Sequence, residues 1–240
     1  MSYAYDDTYG DGYSVASRPV SERAAFIKRT YLHLGGAVLA FVAIEAALIS
    51  SGVALEIVQT VFVGRVAWIG LMVLFIGGGY VAQYMARSGQ SVGVQYAGLS
   101  LYVLLEVLIF LPILTITQLV PAYANVPMQA GMVTLLVCGG LTAGVFLSGK
   151  DFSWMGPIIG VASMLALGLV IAAVVFGFNL GLIFSVAMVG LAAAAIIYQT
   201  SNVMHHYGPR EHVAASLALF ASVATMFYYV LRIFMASRDN

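Results

Sequence analysis

Two carboxylic acids stand where a carboxylate is costly. Glu45 and Glu106 lie inside long apolar runs of this 240-residue chain, Glu106 near the midpoint of its run. An ionised carboxylate at bilayer depth costs about 2.5–3.5 kcal/mol on insertion scales, so it persists when paired, protonated or facing water. One reading is a proton- or cation-binding group on an ion path. The other is a structural carboxyl, hydrogen-bonded inside a helix bundle. Helical spacing puts Leu99, Tyr102, Ile109 and Ile113 on the Glu106 face. Tyr102, four residues earlier, is positioned to offer its hydroxyl, and the face is predicted to point into the bundle.

A second cluster is His205, His206 and His212, with Glu211 beside them. A metal centre needs three or four converging ligands. No cysteine and few acids accompany these histidines, so a polar loop without metal is expected. Because histidine titrates near neutrality, a pH-sensing role stays open. Cys138 is the sole cysteine and sits within an apolar run, which rules out an intrachain disulfide. The zinc-protease, nucleophile-elbow and P-loop patterns are absent. We expect no enzyme and no cofactor.

The elements that position these groups follow from apolar run length. Only 8% of residues are charged and 62% are hydrophobic, whereas a soluble domain carries about 25% charged residues. A spanning helix needs about 20 mostly apolar residues. Seven stretches qualify: 31–51, 66–85, 94–120, 129–147, 154–176, 180–198 and 213–235. The fold class is all-α, a polytopic membrane protein. It divides into a polar Tyr/Asp/Gly-rich tail, 1–22, and a seven-helix domain, 23–240. The formal net charge is zero, which leaves no electrostatic footprint for nucleic acid. The partners expected are the lipid bilayer and other membrane chains.

With the N-terminus inside, Arg18, Arg23, Lys28, Arg29, Arg87, Lys150 and Arg210 face the cytoplasm. Arg65, Arg232 and Arg238 lie on the other side. This bias predicts a cytoplasmic N-terminus and an external C-terminus. Residues 22–30 form a short amphipathic lead-in to the first span. The tail bears Tyr3, Tyr5, Tyr9 and Tyr13 and buries too little apolar surface to order itself. It is expected to gain order by contacting another chain or the cytoplasmic face of the bundle. Glycine pairs four apart at 140/144, 156/160 and 177/181 predict close helix packing. Gly77, Gly78 and Gly79 would loosen the second span, and Pro112 would kink the third.

Several local patterns resemble the Bax inhibitor-1 family. These are KDFSWM at 150–155, IIYQTSNV at 196–203, SLALFASVATMFYYVLRIF at 216–234 and YAGLSLYVLLEVLIFLP at 96–112, with the acid Glu106 inside the last. The lead-in around 26–31 fits as well. The resemblance, bacterial in type, covers nearly the whole chain beyond residue 22. It implies six helices around a central seventh, in a bacterial inner membrane. Some members behave as pH-sensitive calcium leaks, sensed by one aspartate closing the sixth span and one inside the seventh, near an arginine after the second. Two carboxylates that close share protons.

Here Gln199 stands at the first aspartate position and Ser222 at the second, with Arg87 at the basic one. The carboxylate sensor is therefore missing, and a neutral Gln199–Ser222 hydrogen bond is the expected lock. Two functions follow from the resemblance and the residues together. The first is a non-enzymatic accessory or regulatory subunit acting through protein partners. The second is a calcium or proton leak that uses Glu106.

Overall fold

A computed structural model of the chain describes residues 14–87 and 91–239. Among these, eight α-helices follow one another: α1 (Val20–Ser50), α2 (Val53–Thr60), α3 (Gly64–Arg87), α4 (Val92–Leu119), α5 (Val126–Ser148), α6 (Met155–Phe176), α7 (Gly181–His205) and α8 (His212–Ala236). Seven are long and apolar enough to span a bilayer, α2 being the exception. The lead-in and the first span are one 31-residue helix. At 1.5 Å per residue it is about 46 Å long, so its first turns project beyond a hydrocarbon core of about 30 Å. Those turns carry Glu22, Arg23, Lys28 and Arg29.

α8 is the centre of the bundle, packed by α1, α3, α4, α5 and α7. An aromatic cluster joins three of these elements. Phe41 of α1 meets Phe110 of α4 edge-on, with ring centroids 5.0 Å apart. Phe110 stacks on Phe227 of α8 at 5.3 Å. Offset and edge-on ring pairs of this kind add about 0.5–1.5 kcal/mol beyond area burial. Nearer the end of the bundle where α8 begins, the Ser216 hydroxyl donates across to the Thr30 carbonyl at 2.8 Å.

The glycine expectations need correction. A Cβ on Gly140, Gly144 or Gly160 would meet nothing within 4 Å, so these faces carry no close helix contact. Gly177 and Gly181 do not share a helix face at all. They take positive φ angles of +77° and +71° where α6 ends and α7 begins. Of the six, Gly156 packs beneath the Tyr198 ring of α7 and Gly177 lies against the Arg65 guanidinium of α3. The tightest backbone approach lies at a glycine outside these pairs. A Cβ on Gly98 would stand 2.6 Å from the Ala82 carbonyl oxygen, so only glycine lets α3 and α4 meet there. The glycines at 77–79 leave α3 continuous, and α4 runs through Pro112.

α6 differs from the other spanning helices. It leans on α7 and α3, and Ala166 is its one buried residue. A cavity of about 930 Å³ separates it from α8.

Candidate functional site

The cavity runs the length of the bundle between α3, α4, α6, α7 and α8. Gln83, Arg87 and Gln199 line one end, and Trp68, Asn179 and Arg232 line the other. Glu106 faces it from α4, between the two ends. Glu106 is 4% exposed and lies within hydrogen-bonding reach of the Tyr102 hydroxyl. This is the geometry that the spacing of four predicts: consecutive turns of α4 stack the two side chains on one face.

Glu45 lies elsewhere. It is buried on α1 and does not line the cavity, and among the described residues neither carboxyl oxygen has a hydrogen-bond partner. The structure does not bring the two acids together. An unionised carboxyl is the form compatible with such surroundings.

Of the three positions named by the resemblance, Arg87 and Gln199 line one end of the cavity and Ser222 lines it near its middle, and the predicted Gln199–Ser222 lock does not form. Ser222 turns back on its own helix and donates to the Ala218 carbonyl at 3.0 Å. Gln199 accepts instead from the Tyr207 hydroxyl at 3.3 Å. Arg87 reaches the same hydroxyl. Burial pushes Tyr207 up to about 12, against the opposing pull of the Arg87 guanidinium. The phenol is thus a neutral donor at any physiological pH. Tyr207 carries no local sequence signal, because it sits in the loop after α7 rather than on a helical face shared with Gln199.

The N-terminal segment reaches this cluster. The Val15 N–H donates to the Tyr207 carbonyl at 2.9 Å, and Val15 is 1% exposed. Residues 1–13, with Tyr3, Tyr5, Tyr9 and Tyr13, lie outside the described residues.

The histidines diverge. His206 Nε2 pairs with Asp151 Oδ2 at 3.0 Å. His205 Nδ1 bonds the Ser201 carbonyl one turn back. The His212 ring packs on His33, 5.0 Å between centroids. Among the described residues no group of three potential ligands could hold a metal. Asp151 is instead a clamp on the loop before α6. Its Oδ1 accepts from the Ser153 N–H at 2.8 Å and from the Ser201 hydroxyl at 3.3 Å. The Ser153 N–H and His206 hold the Asp151 carboxyl down at about 2. His33 went unnoticed in the sequence; its Nε2 meets the Tyr96 hydroxyl at 2.6 Å and ties α1 to α4. A separation of 63 residues leaves no spacing signal for that pair.

Six apolar helices together with the enclosed α8, itself of spanning length, define a polytopic integral membrane protein. A model of the family described as "Inhibitor of apoptosis-promoting Bax1" matches residues 23–239, and the chain belongs to this Bax inhibitor-1 family. It is similar to an uncharacterized protein of Pseudomonas aeruginosa, 33% identical over 51% of this chain and 55% of that one. A BI1-like protein of Arabidopsis thaliana is 36% identical over 48% of this chain and 47% of its own length. The chain thus spans about half the length of these curated relatives. The Golgi anti-apoptotic protein of vaccinia virus strain Lister is 27% identical over 98% of this chain and 95% of its own.

Proposed function

We propose that this chain is a non-enzymatic regulatory or accessory subunit of a bacterial inner membrane, acting through partner chains that engage its N-terminal segment. The observation that carries this reading is the Val15–Tyr207 hydrogen bond. Through Tyr207 it links the N-terminal segment to Gln199 and Arg87, the positions where the family's sensor would stand. A partner that draws on residues 1–13 would act on this cluster directly. Similarity to the Pseudomonas protein supports a bacterial membrane. The basic-residue bias supports a cytoplasmic N-terminus and an external C-terminus. Reporter fusions after Arg29 and after Asn240 should read opposite sides, and same-side reporters would reject that orientation. A photo-crosslinker at Tyr9 or Tyr13 should give a discrete adduct with another membrane chain in cells. Adducts with lipid alone, or within the same chain, would defeat the partner reading.

One feature favours a second reading, passage of a small ion past Glu106. The cavity reaches toward both ends of the bundle, with Glu106 between them. Two facts weigh against cations. An arginine stands at each end, and the carboxylate pair is replaced by Gln199 and Ser222. Guanidinium groups at the mouths of a path are electrostatic barriers to cations. Reconstituted protein should therefore show little calcium flux, with no change between about pH 6 and 8, the range in which a histidine or coupled-acid sensor would titrate. A flux abolished by Glu106→Gln with the fold intact would establish the second reading over the first.

A further inference from the structure

We infer that the cavity between α6 and α8 is a binding site for a long-chain carboxylate, a fatty acid whose headgroup sits on Arg232 and whose tail runs inward along α8. Four observations converge on it.

The first is size. About 930 Å³ lies at the upper end of the range, 300–1,000 Å³, in which pockets enclose drug-sized ligands. The second is shape. Ala214 and Arg232 both line the cavity from α8, and their separation along the axis is about 27 Å. From Arg232 to the level of Ser222 is about 15 Å along the helix, the depth of one leaflet of a core about 30 Å thick. A single acyl chain entering at Arg232 therefore ends near mid-bilayer. The third is lining. Between the polar ends the walls are chiefly apolar, lined by Ile159 and Val170 of α6 and by Ala218 and Ala221 of α8. An apolar space of this kind is filled by hydrocarbon more favourably than by water.

The fourth is charge. Arg232 is half-buried, and among the described residues no carboxylate lies within 4.0 Å of it. A guanidinium offers a planar fork that matches a carboxylate with two parallel hydrogen bonds. The Asn179 amide lines the same end and supplies a further donor. Among the described residues that end of the cavity presents no carboxylate to receive the ammonium of a zwitterionic headgroup. An anionic, single-chain amphiphile satisfies both the unpaired guanidinium and the apolar volume. The inference is independent of whether any ion passes Glu106 and of any partner at the N-terminus, since binding is read directly.

The test uses the full chain in phosphatidylcholine nanodiscs with radiolabelled palmitate as probe. Saturable binding at one site per chain is expected, with 1-hexadecanol a poor competitor because it lacks the anion. Arg232→Gln should weaken binding at least about tenfold, the scale of a lost charge-assisted hydrogen bond, while Arg232→Lys, which keeps the charge, retains part of it. Ala224→Trp, which fills the cavity about 12 Å along α8 from Arg232 without touching the headgroup end, should abolish binding. Arg238→Gln changes a cation at the same end of the bundle that donates to Gln129 and does not line the cavity, and it should leave binding unchanged. Each variant's unfolding midpoint is measured alongside, so that the Lys and Arg238 variants decide the matter if the others unfold. Linear, non-saturable uptake would overturn the inference. So would equal competition by hexadecanol, equal loss in Arg238→Gln, or a tightly held two-chain phospholipid of the nanodisc in place of palmitate.

Discussion

α6 and α8 are near neighbours of similar length, and they live in opposite environments. α6 is the more apolar of the two and buries only Ala166. α8 carries serines, threonine, tyrosines and an arginine, yet thirteen of its residues are buried. In water the ranking would be reversed. In a bilayer the lipid is as apolar as leucine, so hydrophobicity gives a helix no reason to be enclosed; close packing and polar contacts do. The polar and aromatic residues of α8 therefore mark the core, and the uniform apolarity of α6 marks the lipid-facing wall.

The strongest way to break this comparison is to disturb the α3–α4 approach that supports α8. Gly98→Leu would drive a side chain into the Ala82 carbonyl and the Ala86 backbone nitrogen. We expect no stable bundle, seen as loss of monodisperse protein after extraction. Next comes truncation on α8 itself. Phe220 is 2% exposed, and Phe220→Ala should cost about 3 kcal/mol, read by reversible unfolding in mixed micelles. Leu165→Ala on α6, at a side chain 67% exposed to the lipid side, should cost under about 0.5 kcal/mol. Comparable costs at the two positions would refute the core-versus-wall assignment.

A comparably small effect is expected at the clamp that fixes the start of α6. Asp151 has a folded value of about 2, below its ordinary 3.8. A depressed carboxylate stabilises the fold above its ordinary value, and that contribution disappears as pH falls from about 4 to about 2. Asp151 and His206 are nearly half exposed, which limits the contribution to under about 1 kcal/mol. Asp151→Asn should lower stability near pH 7 by that same amount, under about 1 kcal/mol, and flatten the acid-range loss in a thermal unfolding series. An undiminished acid slope in the variant would assign the loss to other carboxylates.

The sequence made the seven spans legible, because run length and composition belong to single segments. It did not reveal α2, whose eight residues fall well below spanning length and carry Glu56 and Gln59. Glycine spacing misled for a physical reason: the interval of four is the same whether a face meets a helix or meets lipid. Gly98 lies outside every such pair, and its partner is backbone. At the candidate site, Tyr102 and Glu106 were readable together because they are one turn apart. Tyr207 and Gln199 were not, because the chain leaves the helix between them. The absence of the two aspartates was legible residue by residue. What replaced their interaction was not, since hydroxyl and amide groups choose partners by three-dimensional proximity.

The placement of α6 has a mechanical consequence. Its 22 residues span about 33 Å, close to the thickness of an average hydrocarbon core. Its start is pinned by Asp151, Ser201 and the seat of Tyr198 over Gly156, while most of its length rests on lipid, on α3 and on α7. A thinner bilayer is met by tilting whichever helix tilts at least cost, and here that helix is one wall of the cavity. A change in bilayer thickness would therefore fall first on the helix that walls the volume beside Glu106.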